Sequence, residues 1–371
     1  MVLGFTAIAA KSSATTEPML RRIVVFQPGF VNEAARDELI SRAGGVKIKN
    51  LDLIGGKAVY LPSKAAEKAL AHQAGVLRID DDVVVEALGQ VVPWGVDRID
   101  AEPALGLPTG DVIKVAIIDT GIDLKHPDLK ANIKGGYNAI NPRKSANDDN
   151  GHGTHVAGTV AAINNTIGVV GVGPQIDLYA VKVLNAAGSG YLSDVIEGLD
   201  WAIQNKIQVV NMSLGTTSDI LSFQEAVQRV NAAGIVQVAA AGNNYGGAVD
   251  YPGAYYEVIA VSAINSSDGI ANFSSVGPQV DLAAPGASIY STYKGSTYKT
   301  LSGTSMAAPH VTGVAALVLS VPVKCDYDGN GVCSPAEVQQ RLEATAEDLG
   351  AVGRDNLYGA GLVDAEKAVI Q

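Results

Sequence analysis

The sequence predicts an α/β protein, a doubly wound and mostly parallel sheet with helices on both faces, preceded by a small α+β unit of ferredoxin-like order. Three observations carry that expectation. From Gly89 onward short, nearly continuous apolar runs recur: VIKVAIID, IDLYAVKVL, IQVVNMSL, IVQVAAAGN, EVIAVSAI and QVDLAAPG. Strands apolar on both faces belong in a parallel sheet that helices cover. Helical patterns such as YLSDVIEGLDWAIQNK and SFQEAVQRVNAAG separate several of them. Before Gly89 the elements alternate as βαββαβ, the split ferredoxin-like motif.

The chain opens with a tail, residues 1–20, in which VLGFTAIAA has the texture of a secretory-signal remnant but lacks a preceding basic residue. Residues 21–88 form the first unit. IVVF reads as a strand, NEAARDELISRAGG as a helix closed by Gly44 and Gly45, and VKIKNLDL and KAVYLP as a strand pair around Gly55 and Gly56. SKAAEKALAHQAG reads as a second helix ending at Gly75, and VLRIDDDVVVEAL as a last strand. The unit carries no obvious chemistry, and its one histidine, His72, falls on a solvated helix face.

Composition narrows the function. The chain has 371 residues, 47% apolar and 18% charged, which suits one large folded domain plus a small one. A formal charge of −11 argues against nucleic acid or an anionic membrane as partner. No apolar run reaches the roughly 18 residues that a membrane span needs. Cys325 and Cys333 allow one local bridge in an exported protein, or a free buried pair.

The predicted strands end in polar or glycine-rich residues: Asp119, the turn Gly188-Ser189-Gly190, Ser213-Leu214-Gly215, and Gly242-Asn243. Ligands bind at such carboxyl ends. SGTSMAAPHVTGVAALVLS runs from a small-residue turn into an apolar helix, with Ser305 beside unpaired N–H groups at the positive end of the dipole. Pro309 is read as marking the first helical turn, where a missing N–H costs little. Ser305 is then either a capping serine or a nucleophile. A nucleophile needs a base, a group to orient the base, and oxyanion donors. Asp119 closes VAIID, GHGTHVAGTVAAI supplies His152 and His155, and NMSLG and AAAGN supply extended backbone and the Asn243 amide. His72, His126 and His310 do not precede a small-residue helix start, but the residues alone leave His152 and His155 unseparated. The H-x-x-H pair with Asp119 also reads as a metal site, although the glutamate of a zincin motif is missing.

Residues 326–337, DYDGNGVCSPAE, fit a twelve-residue calcium loop. Asp326, Asp328 and Asn330 take positions one, three and five, Gly331 the sharp turn, Val332 a carbonyl ligand, Ser334 the ninth position and Glu337 the closing carboxylate. The alternative is a polar turn between helices. Cys325 and Cys333 flank the ligands.

AIIDTGID, NGHGTHVAGT, NMSLG, AAAGN and GTSMAAPHVTG, in the order Asp, His, Ser, resemble the motifs of the subtilisin-like serine proteases over residues 89–371. The first unit is similar to that family's propeptide, an intramolecular chaperone and inhibitor. The resemblance implies Ser305 as nucleophile, His152 as general base, Asp119 as its orienting carboxylate, and Asn243 with the Ser305 N–H as oxyanion donors. It makes His155 a structural neighbour. Protein and peptide substrates would pair as a strand between Gly188-Ser189-Gly190 and Ser213-Leu214-Gly215. Ala240, Ala241 and Gly242 would wall the primary pocket above Asp250. There a solvated aspartate is one reading, and a carboxylate admitting lysine or arginine the other.

Aligning VVPWG with the family's mature N-terminus puts the processing junction between Leu88 and Gly89. The resemblance further implies a second calcium site, made of Gln90, Asp128, Asn165 and the carbonyls of Ile163, Ile167 and Val169, which Gln90 joins only after cleavage. Asp148 and Asp149 are candidates for a third. A secreted monomer is expected, with 325–337 an insertion in the peptidase domain. The alternatives are a more selective processing protease, or a non-enzymatic module built on the calcium loop and first unit.

Overall fold

The computed structural model describes residues 19–30, 32–83, 89–102 and 113–370. The chain divides into two compact units, Met1–Ala87 and Leu88–Gln371.

In the first unit the elements are β1 (Leu20–Phe26), α1 (Glu33–Arg42), β2 (Val46–Leu51), β3 (Gly56–Leu61), α2 (Lys64–Ala71) and β4 (Val76–Asp81). The strands pair antiparallel in the order β2-β3-β1-β4. Asn32 caps α1 and Ser63 caps α2 by accepting from first-turn N–H groups. Ile40 and Leu70, one from each helix, pack against Val24, Phe26, Val59 and Leu61. The last strand is expected to run to Leu88, whereas β4 spans Val76–Asp81. Residues 84–88 lie outside the described residues.

The second unit begins with α3 (Trp94–Arg98) and holds a seven-stranded parallel sheet. Its strands are β5 (Lys114–Asp119), β6 (Ile133–Asn138), β7 (Asp177–Lys182), β8 (Val209–Met212), β9 (Val236–Ala240), β10 (Ile259–Ile264) and β11 (Leu282–Pro285). They run in the order β11-β10-β9-β8-β5-β7-β6. α4 (His152–Ala161) and α7 (Thr304–Leu319) cover one face, α5 (Leu192–Gln204) and α6 (Leu221–Ala232) the other. Along β5 the period of two is plain. Val115 and Ile117 enter the core under α4 and α7, whereas Ala116 and Ile118 enter the core under α5 and α6.

β6 was not expected. Its sequence, IKGGYN, carries two glycines, and a side chain at Gly136 would collide with the Ala180 carbonyl on β7. Close packing therefore removes the apolar signal that marks the other strands. A hairpin, β12 (Ile289–Tyr293) and β13 (Thr297–Leu301), leads into α7, followed by α8 (Pro335–Thr345) and α9 (Ala365–Val369).

Pro309 corrects a second expectation. It lies in the second turn of α7 rather than the first, so the carbonyl four residues back, that of Ser305, loses its helical donor. The Ser213 hydroxyl, at the end of β8, donates to it instead at 2.9 Å.

Candidate active site

Strand order reverses at β5, and Asp119 ends that strand at the switch point where parallel sheets hold ligands. The Asp119 carboxylate is fully buried, and Oδ1 accepts the Thr120 N–H at 2.7 Å. His152 is the first residue of α4, and its Nδ1–H donates to both Asp119 oxygens at 2.8 and 2.9 Å. Gly153 makes this approach possible, since a Cβ there would strike the Gly121 carbonyl and come within 3.1 Å of Asp119. Burial opposes charge on the His152 ring, but the Asp119 charge and hydrogen bond, with Asp148 beyond, outweigh it and raise its pKa. With Nδ1 committed to the carboxylate, the ring has only Nε2 left to offer another partner.

His155 is bonded elsewhere. Its Nε2–H is shared between the carbonyls of Ile289 and Lys299, each at 3.0 Å, and burial pushes its pKa down to about 4. His152 and His155 thus face different partners, which removes the metal reading of the H-x-x-H pair.

Ser305 is the second residue of α7. Its hydroxyl donates to the Ser213 carbonyl at 3.2 Å. Among the described residues this, not the His152 ring, is its hydrogen-bond partner, and catalytic contacts of free enzymes often close only around substrate. Ser213 and His152 line one cleft of about 550 Å³ with Leu214, Gly215 and the turn Gly188-Ser189-Gly190. Leu184, Leu192, Val195 and Phe223 give that cleft an apolar floor. The sequence does not single them out: Leu192, Val195 and Phe223, on α5 and α6, look like any inward helix face, and Leu184 continues the apolar run of β7. Asn243 stands at the end of β9, its Oδ1 accepting from the Thr304 N–H and hydroxyl at 3.0 and 3.2 Å, which leaves its NH₂ as the free end of the amide.

Residues 110–361 match the profile of the Subtilase family. The chain belongs to the subtilase family. It is 46% identical over 302 residues to an alkaline protease of Alkalihalobacillus alcalophilus, covering 81% of this chain and 76% of that one. It is 41% identical to subtilisin amylosacchariticus of Bacillus subtilis subsp. amylosacchariticus, over 99% and 94% of the two chains. It is also 41% identical to a thermostable alkaline protease of Halalkalibacterium halodurans, over 99% and 98%. The chain is a subtilisin-like serine endopeptidase, and its substrates are proteins.

In this subtilase Ala240 and Ala241 are buried in core clusters. Asp250 stands between Gly215 and Gly242. Its Oδ1 accepts from the Asn244 amide at 2.9 Å, and its Oδ2 lies 2.5 Å from where a Cβ on Gly242 would be.

In the 326–337 loop, carboxylate oxygens of Asp326, Asp328 and Glu337 lie within 4.8 Å of one another. Asp326 Oδ2 accepts the Gly331 N–H at 2.9 Å, while its buried Oδ1 has no hydrogen-bond partner. Val332 donates its N–H to Asn330 Oδ1. Ser334 caps α8, and Glu337 reaches back to it in a capping box while its Oε1 accepts the Tyr327 and Asp328 N–H groups. Cys325, just before the loop, and Cys333, at its eighth position, form a disulfide.

The second set also converges. Gln90 Nε2 donates to the carbonyls of Ile163 (2.6 Å) and Val169 (3.0 Å), and Asn165 Nδ2 donates to Asp128 Oδ1 (2.7 Å). Ile167 joins through its N–H to Asn165 Oδ1. Gln90 is already seated in the uncut chain, which corrects the expectation that it joins only after cleavage. Both sets offer oxygen donors alone, the chemistry that calcium requires. Of the other aspartates, Asp148 accepts N–H groups at the start of α4, and Asp149 pairs with Lys182. Leu88 lies outside the described residues, and Gly89 is exposed.

Proposed function

We propose that this subtilase is a secreted, calcium-stabilised enzyme made as a zymogen, cutting peptide bonds through Asp119, His152 and Ser305. The observation that carries the reading is the buried carboxylate bonded to His152 Nδ1, at the rim where Ser305 meets Ser213. Ser305 Oγ attacks the scissile carbonyl carbon while His152 Nε2 takes its proton, and Asp119 holds the ring and steadies the imidazolium. The oxyanion is received by the Asn243 NH₂ and the Ser305 N–H. His152 then protonates the leaving amine, and water, activated by the same ring, releases the acid from the acyl-enzyme. Replacing Ser305 with alanine should abolish both peptide hydrolysis and labelling by a fluorophosphonate. Retained turnover in Ser305→Ala refutes the triad.

Substrate lies extended between the 188–190 and 213–215 segments, where backbone pairing gives affinity with little sequence demand. Asp250 lets basic side chains into a pocket that otherwise takes apolar ones. Its carboxylate is near both glycines that border the substrate path. Matched Leu and Lys peptides test this: Asp250→Ala should lower the Lys/Leu ratio of kcat/KM, and an unchanged ratio rejects it.

Residues 21–88 serve as chaperone and inhibitor, and the enzyme cuts itself between Leu88 and Gly89. Calcium is held by Asp326, Asp328, Asn330, Val332, Ser334 through water, and Glu337, and separately by Gln90, Asp128, Ile163, Asn165, Ile167 and Val169. At the second site the Gln90 amide must turn its oxygen inward. When bound, the ions supply fixed positive charge that ties loops together, remote from bond cleavage.

A further inference from the structure

A buried ammonium is costly unless each of its three N–H groups finds an acceptor. Lys182, the last residue of β7, is such a group, with a side chain only 7% exposed. Its Nζ donates to the Thr120 carbonyl (2.7 Å), the Leu184 carbonyl (2.8 Å) and Asp149 Oδ1 (2.7 Å). The three acceptors belong to separate segments that meet at the reaction centre. Thr120 follows Asp119, gives its N–H to that carboxylate, and bonds Asp148 and the Gly153 N–H through its hydroxyl. Asp149 lies in the turn before His152, where its carbonyl also accepts from Lys294 on the hairpin turn. Leu184 lines the substrate cleft.

We propose that Lys182 is a positioning residue whose ammonium fixes the Asp119 turn, the His152 turn and the cleft edge in one register. The proposal rests on the triad reading. A lysine serving stability alone would leave turnover intact wherever the fold is intact. A positioning lysine sets turnover itself, because sub-ångström misplacement of the base slows proton transfer in the folded enzyme.

The test uses the processed enzyme, at temperatures well below each variant's unfolding. It measures kcat and KM on a quenched peptide and the rate of phosphonylation by a small fluorophosphonate that does not fill the cleft. Lys182→Met should lower kcat and the phosphonylation rate together by about 10- to 100-fold, with KM changed less. Lys182→Arg, which keeps the charge, should recover part of both. If Lys182→Met does not fold, Asp149→Asn decides, since that side chain is 54% exposed and its loss removes one arm of the clamp. A several-fold fall in both rates supports the proposal. Wild-type rates in folded Lys182→Met, or in Asp149→Asn when it decides, overturn it. Ser305→Ala, cut at the junction by an added protease, is the control: turnover there, after that protease is removed, would sink the triad reading instead, whatever the Lys182 variants do.

Discussion

Removing the Ser213 hydroxyl tests how α7 tolerates a proline in its second turn. Pro309 has no N–H for the Ser305 carbonyl, and Ser213 Oγ is the donor that replaces it at 2.9 Å. In Ser213→Ala that carbonyl, in a part-buried setting, loses its partner. An unsatisfied buried acceptor costs about 1–3 kcal/mol, and partial access to water puts the expected loss at about 1–2 kcal/mol. The assay is equilibrium urea unfolding in a Ser305→Ala background, which keeps the backbone carbonyl and prevents self-digestion. In Pro309→Ala the new N–H can bond the residue-305 carbonyl as in an ordinary helix. Adding Ser213→Ala to that variant should then cost less, and what remains is the buried Asn211 Nδ2–H, which loses Ser213 Oγ as its acceptor in either background. An equal Ser213→Ala penalty with proline or alanine at 309 refutes the reasoning, because the two donors would not share one acceptor.

Much of the rim was legible because its parts are local. Asp119 closes an unbroken apolar strand, and His152 sits in a glycine-spaced helix start, each readable within about ten residues. The rest depends on partners distant in sequence. The donor that excuses Pro309, Ser213, lies 92 residues before the Ser305 carbonyl it bonds, so the sequence reads the proline as a helix start. Lys182 looks like the polar end of a strand until its acceptors on three segments are seen. Phe223 and Leu192 reach the cleft only because α5 and α6 pack beside it, and β6 is masked by glycines that its neighbour requires. Gln90 was assigned to a loop it could reach only when cut, yet the uncut chain already bridges to Ile163 and Val169.

Two further outcomes follow from charge. A general base must be neutral, so kcat/KM should fall as pH drops through the His152 pKa, with its midpoint above the ordinary histidine value of about 6.5 because Asp119 and Asp148 raise it. Asp148→Asn should move that midpoint down, and a pH–rate profile that stays put or moves up contradicts the assignment. The calcium loop makes the sharper demand, since three carboxylates brought within 4.8 Å repel one another. An ion that binds only the folded loop stabilises by about 2.7 kcal/mol at a hundred times its dissociation constant. Chelation should therefore lower the melting temperature of the Ser305→Ala protein. Asp326→Asn, which replaces a carboxylate whose Oδ1 is buried without a partner, should weaken calcium binding at this loop and shrink the calcium-dependent shift while raising stability in chelator, because it removes one of the repelling charges. Opposite signs with and without calcium distinguish a metal loop from a polar turn. A polar turn would respond to Asp326→Asn identically in both conditions.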